Sequence, residues 1–185
     1  MGRAAHAGMD PEKGISAIQI ASEAISRLGW GRIDHETTAN VGTINGGMAR
    51  NIVPEKITLQ AEVRSRSEEK FQKYCKKIEV EFKKAAKKYS GDIIIKSEQR
   101  SKHYTVNTND LLVRIITDAC KKNSIRPDIK LTGGITDANI FNAHGIKTIT
   151  TGSCGTNIHS TQESVKIANL VVGTQIVLDT IISLK

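Results

Sequence analysis

Nothing in the 185 residues approaches the roughly 20-residue apolar run of a membrane-spanning helix, so no helical span and no membrane partner are expected. The start lacks the basic-then-apolar layout of a signal peptide. Position 6 is His6 rather than the Ser or Thr of a lipidation signal, and a cytoplasmic location is the resulting expectation. Cysteine is scarce: Cys75, Cys120 and Cys154 are odd in number, far apart and contain no Cys-x-x-Cys pair. That excludes a disulfide framework and a thiolate zinc cluster and fits a reducing compartment. Aromatics are only 4% of the chain, and none is arranged among the basic residues as a stacking platform for RNA. There is no Gly-Lys-Ser/Thr ending of a phosphate loop, no internal repeat and no low-complexity tract.

What is present is a hydrophobic share of 38%, enough for one compact domain or two small ones. The formal charge of +8 is unevenly spread, because residues 68–89 hold eight lysines against four glutamates, half the total. Phe71, Cys75, Ile78, Phe82, Ala85 and Tyr89 recur there at helical spacing, so the lysines occupy the solvated face of an amphipathic helix. A nucleic-acid partner is not expected from that pattern.

Asp10-Pro11 reads as a helix start, Ile15, Ile18, Ala21, Ile25 and Leu28 continue with helical period, and Gly29 supplies a stop. The β-prone "TTANVGTI" runs into Asn45-Gly46-Gly47, and after Pro54 apolar Ile57, Leu59, Ala61 and Val63 alternate with polar residues, giving two strands. The lysine-rich helix comes next, then "GDIIIKSE" as a third strand. This order is a ferredoxin-like βαββαβ unit with its first strand missing. From about residue 104 the pattern alternates: helix 109–122, strand 129–131, helix after Thr136, strand 148–150, and a long apolar helix from about Ser164 to Leu184. Such alternation predicts an α/β layer with parallel strands, too few to close a sheet, so residues 1–103 form an α+β domain and 104–185 a partial α/β domain.

Candidate chemistry sits in a few places. In "TTGSCGTNIHSTQES" a strand end presents His159 ahead of a helix, a position for a metal or substrate ligand or for a plain loop histidine. Ser160 and Glu163 fit a capping box, and Cys154 reads as a small buried thiol, with pairing to His159 as the alternative. In "LTGGITDANIF", Gly133 and Gly134 permit close backbone approach and Thr136 or Asp137 caps the helix. Asn51 and Arg64 could grip a carboxylate, or Arg64 could simply pair with Glu62. His6 by itself reads as capping or exposed, and His35, His103, His144 and Asn40 carry no spacing that argues for more than surface roles.

Taken together, "GRAAHAGMDPEKGISAI", "GRIDHETTANVGTINGGMARNIVPEKITLQAEVRS", "GGITDANIF" with "HGIKTITTG", and "IHSTQESV" resemble the dinuclear-zinc M20 metallopeptidases, in particular the peptidase T-like (tripeptidase) branch. The resemblance implies a lid, or dimerisation, domain at 1–103 followed by the C-terminal portion of a zinc peptidase catalytic domain at 104–185. It implies short peptide substrates, a homodimer formed through the lid, and two zinc ions in the longer enzyme. By position, His6 matches the lid histidine that steadies the oxyanion, Asn51 and Arg64 match lid residues holding substrate, Gly134 matches a pocket loop, and His159 matches the last metal ligand. The family's His-x-Asp and Glu-Glu motifs are not visible here. One imidazole cannot hold zinc tightly, so the isolated chain is expected to be inactive. An N-acyl amino acid deacylase or carboxypeptidase of the same family, or a non-catalytic dimerisation module, are the alternatives.

Overall fold

The computed structural model describes residues 1–152 and 154–184 and divides into two compact units, Met1–His103 and Tyr104–Lys185. Its mixed helix-and-sheet character is that expected from the sequence.

The first unit contains helix α1 (Ala17–Ser26), strands β1 (Gly31–Arg32), β2 (Thr37–Gly46) and β3 (Ile57–Ser65), and helix α2 (Glu68–Lys88). The strands form an antiparallel sheet in the order β1-β2-β3, with Thr37 opposite Ser65, Gly46 opposite Ile57, and a register shift between Val41 and Thr43. Ile20, Ala24 and Leu28 recur every fourth residue along α1 and its C-terminal end and meet Phe82, Ala85 and Ala86 of α2 in one buried cluster, edged by Trp30, Leu59 and Ile78. The alanines let the helices approach closely, and Ala24 is wholly buried. The Tyr74 hydroxyl donates to the Gly29 carbonyl, tying α2 to the end of the first helical segment. Apart from Lys70, the lysines of α2 point to solvent, where Glu79 pairs with Lys76 and Lys83, and Glu81 with Lys84.

The single helix expected from Pro11 onward is divided. Pro11–Lys13 makes one 3-10 turn whose preceding Asp10 pairs with Lys13 instead of capping, and α1 begins later behind Ser16, whose hydroxyl accepts from the Gln19 amide. The interruption has a cause in the ladder around it. Ile15 is held extended by exchanging both backbone hydrogen bonds with Arg3 (2.9 Å each), and a side chain at Gly14 would collide with Val53. Residues 2–7 also run antiparallel to 51–55, through Gly2 N to Glu55 O (2.6 Å), Val53 N to Ala5 O (2.9 Å) and Ala7 N to Asn51 O (2.9 Å).

The strand expected at residues 91–98 is not formed. Asp92 exchanges two hydrogen bonds with Met1 and Ile93 packs against the core, but no strand among the described residues lies beside positions 94–98. A strand's donors and acceptors need a neighbouring ladder, and β-prone composition cannot supply one.

The second unit contains α3 (Leu111–Lys122), α4 (Asp137–Ala143), β4 (Gly155–Thr156), β5 (Ser164–Val165) and α5 (Ile167–Ile182). Helices α3 and α5 are joined by Asp179, a buried carboxylate that accepts from Lys122 (2.6 Å) and Asn123 (2.7 Å). Those two donors, Lys122 first, hold its carboxyl below the usual carboxylate range. The expected strands at 129–131 and 148–150 are absent among the described residues. At Thr148 the Asn142 side chain takes the place of a partner strand, donating to the Thr148 carbonyl (2.8 Å) and accepting from its amide (3.2 Å). In place of parallel strands there is a small antiparallel pair, β4 with β5. Only Ala119, Ala138, Asn139 and Asp179 are buried in this unit among the described residues, whereas Ile167 is 79% and Leu131 71% exposed.

Candidate functional site

In the first unit the ladder between residues 2–7 and 51–55 brings His6 opposite Ile52, so His6 and Asn51 lie side by side on adjoining backbone. Asn51 is exposed, and its carbonyl receives the Ala7 amide. The chain turns directly after His6, with Met9 N and Asp10 N both donating to the His6 carbonyl (3.3 and 3.0 Å). Inside that turn the amides of Gly8 (3.2 Å) and Met9 (3.1 Å) also donate to Nδ1 of the His6 ring. The ring is exposed, and Nε2 meets no protein acceptor among the described residues.

Arg64 is not brought into this group. It lies toward the far end of β3, roughly 24 Å along the strand from Ile57 at about 3.4 Å per residue. There it forms a two-pronged pair with Glu62 (Nε to Oε1 3.0 Å, Nη2 to Oε2 3.1 Å). Across the ladder it faces Thr38, while Glu62 faces Asn40.

The adjacent loop holds a group that sequence reasoning passed over. Asp34 accepts from the Glu36 amide (2.9 Å) and the Thr37 amide (2.8 Å), and Lys70 sits against both Asp34 and Glu36. The Glu36 amide foremost, with Lys70 and Thr37, lowers the Asp34 carboxyl to about 2. The closely spaced Asp-His-Glu run was a visible signal, but Lys70 enters only through the fold.

In the second unit Gly134 donates its amide to the Thr132 hydroxyl (3.0 Å), and the space around Gly133 is open. Thr136 precedes α4, as expected for a cap, with the Asn139 side chain accepting from its amide (3.1 Å). His159 is exposed in the β4–β5 loop at a left-handed φ of 67°, and its amide donates to Glu163 Oε2 (3.1 Å). The Ser160–Glu163 capping box is not made. Ser160 turns back to the Asn157 carbonyl, Ser164–Val165 pair as β5, and α5 starts at Ile167. Cys154 is exposed rather than buried, and its thiol and the His159 ring form no hydrogen bond among the described residues. A shallow recess lined by Thr105, Asn107, Asp110, Asn142 and Lys147 contains none of the candidate residues, and its Asp110 and Lys147 neutralise each other at 2.7 Å.

Residues 1–90 match the family model for the peptidase dimerisation domain of M20 enzymes. The first half of this chain is an M20 peptidase dimerisation domain. The chain resembles the crystal structure of a tripeptidase from Staphylococcus aureus, with 33% identity and a TM-score of 0.90 over 97% of this chain and 48% of that one. It also resembles aminopeptidase PepT from Bacillus cereus, with 35% identity and a TM-score of 0.84 over 97% of this chain and 48% of that one. The uncharacterised protein YqjE of Bacillus subtilis is 38% identical over 177 residues, 96% of this chain and 48% of its own length. This chain thus spans about half the length of the relatives it matches.

A dinuclear zinc centre is tested by the donors present. A hydrolytic site takes about three protein ligands per ion and keeps a position open for water. Among the described residues the only His, Cys, Asp or Glu group close enough to share an ion is Asp34, His35 and Glu36, whose carboxylates are already engaged by Lys70 and by turn amides. His159 stands outside it. The described residues of this chain do not fit a two-zinc centre. Among the described residues no helix is long and apolar enough to cross a membrane.

Proposed function

We propose that this chain is the lid and the C-terminal part of the catalytic domain of an M20 aminopeptidase of the tripeptidase kind, acting on short peptides in the cytoplasm. The observation that carries the reading is the likeness to a solved tripeptidase over 97% of the chain. The uncovered apolar surface of the second unit supports it, because a domain that buries so few of its residues is an incomplete one.

On this reading two copies associate through the dimerisation domain, and His6 donates a hydrogen bond to the oxygen of the peptide carbonyl as negative charge develops there. Asn51, beside it on the ladder, holds the substrate backbone. Arg64 meets the peptide carboxylate in the site that the other copy's His6 and Asn51 enter, exchanging its bond to Glu62 for one of the same geometry. Gly134 lines the pocket, and His159 would supply one donor to a zinc ion, the other donors coming from outside these residues. The chain alone does not hydrolyse peptides.

The test grafts these residues in place of the corresponding half of the Staphylococcus aureus tripeptidase. The hybrid is expected to cleave tripeptides, and His6→Ala to lower its kcat about 100- to 1,000-fold with zinc content unchanged. A folded, zinc-loaded hybrid whose turnover ignores His6→Ala would remove the oxyanion role.

A further inference from the structure

We infer that the turn from His6 to Asp10 is a positioning device that sets the tautomer of the His6 ring, placing its hydrogen on Nε2. A backbone amide can only donate, so a ring nitrogen that receives two amides must present a lone pair. Gly8 N and Met9 N both point at Nδ1, at 3.2 and 3.1 Å. In the neutral imidazole the hydrogen then has one remaining place, Nε2. Histidines in catalytic sites are commonly oriented by a carboxylate or carbonyl that accepts from the second ring nitrogen. Here the polarity is reversed, because the second nitrogen is the acceptor and the backbone supplies the donors.

The root of the ring is fixed as well. Ala5 and Ala7, on either side of His6, are bonded to Val53 and Asn51 at 2.9 Å each, and the His6 carbonyl closes the turn by accepting from Met9 and Asp10. Backbone, carbonyl and ring are therefore all held by the same short segment and the strand opposite. The outward nitrogen is a ready donor and offers no lone pair to a metal ion. The functional weight of this rests on the proposed reading, in which His6 donates to an oxyanion. The tautomer itself does not depend on that reading.

Gly8 is not needed for space, since a Cβ there would lie 3.6 Å from the ring, an ordinary contact. Its amide is the group that matters. Long-range 15N–1H correlation spectra of the labelled chain at about pH 8.5, where imidazole is neutral, read the tautomer directly. His6 is expected as a single Nε2–H form with a lone pair at Nδ1, whereas His159, exposed and with no ring hydrogen bond among the described residues, serves as the averaged reference in the zinc-free chain. Gly8→Pro, which deletes one donor, is expected to move His6 toward the His159 values. Gly8→Ala, which keeps the amide, is expected to leave it in place. An Nδ1–H form, a mixture matching His159, or a Gly8→Pro spectrum identical to that of the unaltered chain would overturn the inference. Because no turnover is measured, these outcomes are independent of whether the hybrid enzyme cleaves peptides.

Discussion

Replacing Phe82 by alanine probes the packing on which the first unit depends. Phe82 is 8% exposed and shares one buried cluster with Ile20, Ala24 and Leu28 across the helix pair and with Ala85 and Ala86 beside it. Three of those five neighbours are alanines, which have no side chain to swing into a void, so the cavity left by the ring persists. Phe-to-Ala changes in cores cost about 3–5 kcal/mol, and the half-exposed rim at Ile15 and Ile25 allows some relaxation, which places this one at about 3–4 kcal/mol. Domains of this size hold about 5–15 kcal/mol in total, and each kcal/mol moves the melting midpoint by about 4–8 °C. A fall of more than about 12 °C is expected. The assay is built in, because Trp30 is the only tryptophan, its indole donates to the Ile25 carbonyl (3.0 Å), and its ring packs on the same cluster. Urea titration followed by Trp30 emission should show the midpoint falling steeply for Phe82→Ala and less than half as far for Phe82→Leu. A loss under about 0.5 kcal/mol, within the range of surface substitutions, would refute the reasoning that α2 closes over α1.

The same unit supports two more tests. The Asp34 carboxyl is lowered from 3.8 to about 2, so its share of stability is fully present above about pH 4 and is lost as pH falls toward 2; acid unfolding of Asp34→Asn, followed by circular dichroism, should be flatter over that window. Gly2→Ala places a Cβ 1.9 Å from the Ile15 carbonyl oxygen, which cannot move without breaking the Arg3–Ile15 rung, and a loss of about 1–3 kcal/mol in the urea titration is expected.

Features decided by neighbours in sequence were legible, and those decided by distant backbone were not. The stripe along α2 and the threonine ahead of α4 needed only local spacing, and both formed. Residues 91–98 have strand composition, yet a strand is a property of two segments, and past Asp92 the second is missing from the described residues. Ile15 fitted a helical period and is instead extended, because Arg3 claims both of its backbone groups. Ser160 and Glu163 had the spacing of a cap, but the pairing of Ser164 and Val165 with Thr156 and Gly155 delays the helix past them. The two-residue strands β1, β4 and β5 carry too few side chains to leave a pattern. Among the candidate residues, His6 by itself read as capping or exposed and only the family resemblance singled it out, while the two amides on its ring became visible only in three dimensions.

The central claim is that these residues hold one donor of a metal centre whose other ligands lie elsewhere. Titration of zinc into the purified chain, with bound metal quantified after gel filtration, tests it most directly. Less than one tightly held ion per chain, unchanged by His159→Ala, is the expected result. Two ions retained per chain, and released by His159→Ala, would contradict it.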